Sequence, residues 1–281
     1  MQELCGNPEC HAPIPLHERY CTACGQDAGA PNVRMANSPA EIAALETRCA
    51  QARTTADTRG HIEILAQLEE ELGHSVAIIS MPASRLQSLV ADPESLLSTF
   101  SLQVEGQSRV PRDNRFDAIR ASVEEAFFPN YSKEIRFAAL SLTEVGHAAY
   151  GCCSARLKAS AIQTRASLLD APLFAFAQIH NIQLGTSIPE GHRAAWARKS
   201  KLATAKFGDK LPDGNIDFAT LLLPKPTDTL TDCIEVHIFG PLHQLSFDHI
   251  HMTKATRKAD RLIQRAILAA LSDSDIQVEI A

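Results

Sequence analysis

The chain has 281 residues, 45% of them hydrophobic, enough to bury a substantial core in one sizeable domain or two small ones. Its net charge of −6 sets the whole-molecule field against nucleic acid and anionic membrane surfaces, so any polyanion contact must come from a local basic patch. No apolar stretch approaches the length of a membrane span, and the N-terminus MQELCGNPEC has no basic-then-apolar leader pattern, so the expectation is a cytoplasmic protein.

Four of the eight cysteines crowd into the first 25 residues, while Cys49, Cys152, Cys153 and Cys233 are scattered. Such clustering favours metal over disulfides. Cys21-Thr-Ala-Cys24-Gly25 reads as a knuckle, two thiolates on a tight turn whose backbone N–H groups approach the sulfurs. Cys5 and Cys10 make a wider pair, and the ten residues between the two pairs suffice for a hairpin that brings four sulfurs to about 2.3 Å from one Zn²⁺. Four thiolates leave no open coordination position, so this metal is structural. The segment RYCTACGQ resembles the second knuckle of the short zinc-ribbon family of bacterial proteins. The resemblance implies a ribbon over residues 1–29 that meets a protein or nucleic-acid target. Four residues between Cys5 and Cys10, where that family has two, leave His11 as an alternative to Cys10.

Beyond the ribbon, GQDAGAPNVRMAN is small and polar and reads as a linker. Ser38, Pro39 and Glu41 then form a capping-box start. Ile42, Leu45, Cys49, Ala52, Ile62, Leu65, Leu68 and Leu72 continue at three- and four-residue steps, a long helix or a helical hairpin with Gly60 as the weak point. The stripe packs within the chain by default, a dimer being possible but not implied. Further helices are expected at 84–91, 94–102 and 114–128, so residues 30–133 read as a helical region. From residue 134 the pattern changes: IRFAALSL and YGCCSARLK read as strands, 158–167, 172–180 and 191–206 as helices, FATLLL, DCIEVHIFG and LSFDHIHM as strands, 255–271 as a helix and IQVEI as a last strand. Residues 134–281 therefore read as an α+β domain with a mainly antiparallel sheet and helices.

Within Asp232–Leu242, Glu235 and His237 share a strand face beside the Gly240-Pro241 turn, with Ile234, Val236 and Ile238 on the other face. The bland reading is an edge strand showing its polar side to water. Tyr150-Gly151, then Arg165 and Ser167, then the E-x-H-x-x-G-P strand from Glu235 to Pro241 resemble a bacterial family related to ADP-ribosyltransferases. The resemblance implies NAD as cofactor and Glu235 as the catalytic glutamate. That residue would bind the nicotinamide ribose and stabilise the oxocarbenium-like state formed as nicotinamide leaves. It further implies Arg136 or Arg165 orienting NAD and Tyr150 stacking on nicotinamide, with Ser167 and His237 in the same site. A Ser-Thr-Ser strand and a second acidic residue two before Glu235 are missing, Cys233 standing there, which argues against ordinary arginine modification.

Other patterns are plainer. His249 and His251 share a strand face and could join His237 or His243 around a metal, although alternation with Phe247, Ile250 and Met252 suits ordinary strand positions better. No phosphate-loop spacing occurs, so ATP or GTP hydrolysis is not expected. Cys152 and Cys153 point to opposite faces and read as small hydrophobes. Trp196, the single tryptophan, reads as a core or interdomain anchor. Arg193, Arg198, Lys199, Lys201, Lys206 and Lys210, and Lys254, Arg257, Lys258, Arg261 and Arg265, are two basic segments that read either as solvated helix faces or as one polyanion surface. Two functions follow: an ADP-ribosyltransferase-like, NAD-using intracellular effector targeted by its ribbon, or a non-enzymatic adaptor binding nucleic acid or a partner protein.

Overall fold

The computed structural model describes residues 3–111, 115–214, 216–225 and 232–281, with the backbone alone at 115 and 116. At the N-terminus, β1 (Glu3–Leu4) and β2 (Pro13–Ile14) pair antiparallel. They enclose a core of Cys5, Ile14 and Cys21, packed by Cys10, Ala12 and Ala28.

The expected linker is largely a helix. Pro31, placed where a missing N–H costs nothing, opens α1 (Pro31–Ala36), which buries Pro31, Asn32, Arg34 and Ala36. Arg34 ties this helix to the ribbon: it meets Glu3 at 2.7 Å and donates to the carbonyls of Pro15 at 3.0 Å, Leu16 at 3.1 Å and Glu18 at 2.6 Å. Two residues earlier, Asn32 Nδ2 donates to His237 O at 2.9 Å, Ser167 Oγ at 3.0 Å and Arg165 O at 3.2 Å. One short helix therefore fastens the ribbon to the sheet.

Helix α2 (Pro39–Thr58) begins as the capping pattern predicts, Ser38 Oγ accepting from Glu41 N at 3.3 Å. Glu41 does not return the bond; its carboxylate takes Gly191 N at 2.7 Å and the Arg193 guanidinium. Gly60, at φ +73°, lets the chain turn into α3 (Ile62–Gly73), so the apolar stripe folds as a hairpin that buries Leu45, Leu65, Leu68 and Leu72.

Next come β3 (Val76–Met81), α4 (Ala83–Val90), α5 (Phe100–Glu105), α6 (Arg115–Phe127), β4 (Ile135–Ser141), β5 (Cys153–Leu157), α7 (Ala159–Ile162), β6 (Ala166–Leu169) and α8 (Leu173–Ile179). The chain continues through β7 (Arg193–Ala195), α9 (Lys199–Phe207), α10 (Phe218–Leu222), β8 (Glu235–Phe239), β9 (Phe247–Met252), α11 (Lys258–Ala270) and β10 (Gln277–Ile280). The strands from β3 onward form one eight-stranded sheet ordered β10-β9-β5-β3-β4-β8-β6-β7, antiparallel throughout except for the β10–β9 pair. The fold is α+β, as expected.

Further expectations change. The helix expected at 94–102 begins only at Phe100, as α5, because Thr99 caps it there, its side chain accepting from Leu102 N at 3.3 Å. The helical reading of residues 30–133 passes over β3, a mid-sheet strand between β5 and β4, buried at four of six positions and so lacking polar alternation. FATLLL is helix α10 because Asp217 caps it, accepting from Ala219 N at 3.1 Å and Thr220 N at 3.4 Å. The span 158–167 is the single turn α7 followed by the start of β6, which puts Ser167 on a strand. The expected helix 191–206 opens instead as edge strand β7. The expected helix 114–128 is α6, residue 114 lying outside the described residues.

The sheet separates two cores. Val236, Ile238, Leu168 and Leu140 join the main core with residues of α2, α3, α4, α9 and α11, and Trp196 is buried in it. On the opposite face, Phe127, Phe128, Tyr131, Leu169, Leu173 and Phe176 form a second core under α6 and α8. Glu235 and His237 belong to this second face.

Candidate functional site

The four N-terminal thiols converge, their sulfurs all lying within 4.8 Å of one another. Cys5 and Cys24 sulfurs are 3.6 Å apart and those of Cys10 and Cys21 3.7 Å. A disulfide needs about 2.05 Å. A tetrahedron of thiolates about 2.3 Å from a central ion has edges of about 3.8 Å, close to these two separations. Backbone N–H groups of Asn7, Ala12 and Gln26 point at Cys5, Cys10 and Cys24. The Gln26 N–H and the neighbouring sulfurs bring the Cys24 thiol down to about 7. Cys5, despite the N–H of Asn7, is pushed up to about 12 by burial and the adjacent thiols. A bound cation would supply the positive charge that thiolates at Cys5 and Cys10 lack. Cys10 completes the set; His11, exposed and at φ +50°, is not among the converging groups. The donor set suits a metal ion such as zinc.

The second cluster lies on the sheet. Ser167 stands opposite His237 and Leu169 opposite Glu235, so Ser167, His237 and Glu235 share one face. Glu235 Oε2 accepts from Leu173 N at 3.0 Å and pairs with His237 Nε2 at 2.9 Å. The buried His237 ring stands edge-on to Phe128 at 4.9 Å and Phe137 at 5.4 Å between centroids. Tyr150, 62% exposed, ends the turn before β5; partial burial and then the charge of Glu235 raise its phenol, opposed by Arg120.

The two predicted arginines are elsewhere. Arg136 stands opposite Ile238, hence on the main-core face, and donates to Leu97 O at 3.2 Å and Glu134 O at 2.9 Å. Arg165 spends its guanidinium on the carbonyls of Ala161, Phe239 and Pro241, closing the strand ends. A basic residue that does lie near Glu235 is Arg120, which the sequence reading missed. Its Nε donates to Glu124 Oε1 at 2.6 Å. Glu124 is 2% exposed; burial holds its carboxyl above the usual range, Arg120 opposes this, and Glu235 adds to it. The four-residue spacing of Arg120 and Glu124 was visible, but not that α6 turns this pair inward. A carboxyl–imidazole pair beside a buried carboxyl held above its ordinary range brings together groups of the kind that exchange protons.

His249 and His251 share a buried face on β9, His249 between Glu144 at 3.5 Å and Glu279 at 3.9 Å. Among the described residues the cysteines are the one group of three or more potential ligands close enough to hold a metal. The basic segments do not make a common surface. Arg193 pairs with Glu41, Lys201 with Glu46 and the buried Lys206 with Asp232, whereas α11 packs on α4 beyond the other half of the sheet. No helix among the described residues is long and apolar enough to cross a membrane. No protein-family model matches the chain and no curated protein matches it, so no relative supports the ADP-ribosyltransferase resemblance.

Proposed function

We propose that the protein is a zinc-ribbon protein whose N-terminal module holds one structural Zn²⁺ on Cys5, Cys10, Cys21 and Cys24. In this reading the module is a recognition element for a protein or nucleic-acid target, rigidly joined to the body through Arg34 and Asn32. The observation that carries the metal assignment is the near-tetrahedral spacing of four sulfurs in a module with three buried core residues, too few to fold it on packing alone. Bound zinc supplies a cross-link and charge neutralisation, not an open catalytic position. Metal analysis of purified protein should find one zinc per chain, and cobalt exchange should give the intense visible bands of a tetrahedral thiolate site. A metal-free protein with an intact ribbon would refute the reading.

A second reading for the body is favoured by the meeting of Glu235, His237, Glu124 and Arg120 on one sheet face with Tyr150 nearby. Here the body is an NAD-using, ADP-ribosyltransferase-like enzyme. Glu235 would stabilise the positive charge that develops at the ribose as the bond to nicotinamide breaks. Nicotinamide release from NAD by the zinc-loaded protein, with cell extract as a source of acceptors, tests it. Loss of release in Glu235→Gln is expected; full release in that variant, or none in the parent, leaves the adaptor function as the reading.

A further inference from the structure

Four arginines from four elements gather where residues 92–111 wrap the end of the central strands: Arg85 on α4, Arg109 after α5, Arg120 on α6 and Arg136 on β4. The guanidinium carbons of Arg109 and Arg120 each stand 4.6 Å from the centroid of the same ring, Phe100. Arg85 donates to Ser98 O at 2.5 Å and Arg136 to the adjacent Leu97 O at 3.2 Å. The carbonyl-bearing segment is itself pinned, Leu97 N donating to Leu242 O at 2.7 Å. Burial first, then the like charges of Arg109, Arg120 and Arg136, bring Arg85 down to about 10.

Among the described residues, acids balance only part of this group. Glu124 holds Arg120 and Glu134 stands 3.6 Å from Arg136, while neither Arg85 nor Arg109 forms an ion pair among the described residues. Pinning the loop accounts for Arg85 and Arg136, which bond its carbonyls, and Glu124 for Arg120, but nothing among the described residues accounts for Arg109, a second cation on the same phenylalanine. Cation–π contact offsets part of the repulsion between the two cations. The remainder would be relieved by an anion.

We propose that Arg85, Arg109 and Arg120 form an anion site that receives the phosphoryl group of a small phosphorylated ligand. Three guanidinium forks mounted on separate elements match an anion with several oxygens, whereas a carboxylate is satisfied by one fork. Glu94, Glu105, Glu125 and Glu134 on the flanking segments interrupt any basic track, which disfavours a nucleic-acid polymer. The site shares Arg120 with the cluster around Glu235, but it rests on Arg85 and Arg109 as well, and phosphate binding and nicotinamide release test the two readings separately.

Calorimetric titration of full-length, zinc-loaded protein with inorganic phosphate and with pyrophosphate, in chloride buffer at two salt concentrations, tests the proposal. Saturable binding that weakens with salt is expected, together with a loss of about tenfold or more in Arg109→Gln at unchanged circular dichroism. Arg109→Lys, which keeps the charge without the fork, should fall between, and Arg257→Gln on distant α11 should bind like the parent. Absence of binding at millimolar phosphate and pyrophosphate would overturn the site. So would equal affinity in folded Arg109→Gln and Arg109→Lys, or binding confined to long single-stranded RNA.

Discussion

Arg34 offers a direct test of how the ribbon is held. Replacing it with Met keeps an unbranched side chain of similar length and removes the ion pair to Glu3 and the bonds to three carbonyls. Glu3 is 49% exposed, so its pair with the arginine contributes little. The three carbonyls share one amino group of the guanidinium, whose two hydrogens make two full bonds' worth of interaction. At about 1.5–3 kcal/mol for each bond from a charged donor, reduced because water can reach the freed carbonyls, the loss is about 3 kcal/mol. That is about 100-fold in the equilibrium for the ribbon lifting off the sheet. Hydrogen exchange of zinc-loaded protein should show faster exchange by about this factor in residues 3–28, with β3, β4 and β8 unchanged and zinc retained. Unchanged ribbon protection would refute the clamp, and equal loss across the sheet would show that Arg34 acts on the whole fold.

Three other outcomes follow from the same coordinates. Cys21→Ser and Cys10→Ser should each lose stoichiometric zinc in metal analysis, whereas His11→Ala should keep it. Burial opposes ionisation of Asp170, but the hydrogen bond and charge of His192 and the charge of Arg48 outweigh it and hold the carboxyl below its ordinary value. A depressed carboxylate stabilises the fold above its unfolded value of about 3.9, and that contribution disappears as pH falls through the folded value. Urea titrations from neutral pH downward should therefore show a shallower acid-side loss in Asp170→Asn than in the parent. Gly151 sits at φ +146° with a Cβ position 2.1 Å from the Met81 carbonyl carbon, so Gly151→Ala should cost about 3 kcal/mol or more and lower Tm by roughly 6–12 °C. Gly73→Ala, with open space at the end of α3, should instead hold or raise Tm.

What the chain discloses before folding is mostly local. Cysteine spacing, the Ser38-Pro39 start, the break at Gly60 and the alternation of Glu235, Val236, His237 and Ile238 all depend on neighbours a few residues away, and each of these local features is present in the fold. β3 went unread because a strand buried on both faces has no polar rhythm, and α10 because the Asp217 cap was passed over in favour of the apolar run after it. The Glu235 surroundings were half legible. Ser167 and His237 meet across a strand pair as the motif order suggested, yet Arg136 falls on the wrong face by one step of the pleat. Asn32 and Arg34 carried no signal, since partners of Asn32 lie 133 to 205 positions along the chain. Arg120 and Glu124 looked like an ordinary surface pair until α6 was placed over the sheet.

The strand order bears on how the molecule is made. β8 lies between β4 and β6 in space but is synthesised after both. While a ribosome is still upstream of residue 235, the nascent chain can build only a β5-β3-β4 patch and a separate β6-β7 ribbon, each with an unpaired edge. Emergence of β8 joins them and adds His237 O to the acceptors that Ser167 and Arg165 already offer Asn32, completing the seat of α1. Until then the facing edges of β4 and β6 stay open, and they are the ones a chaperone would be called on to shield.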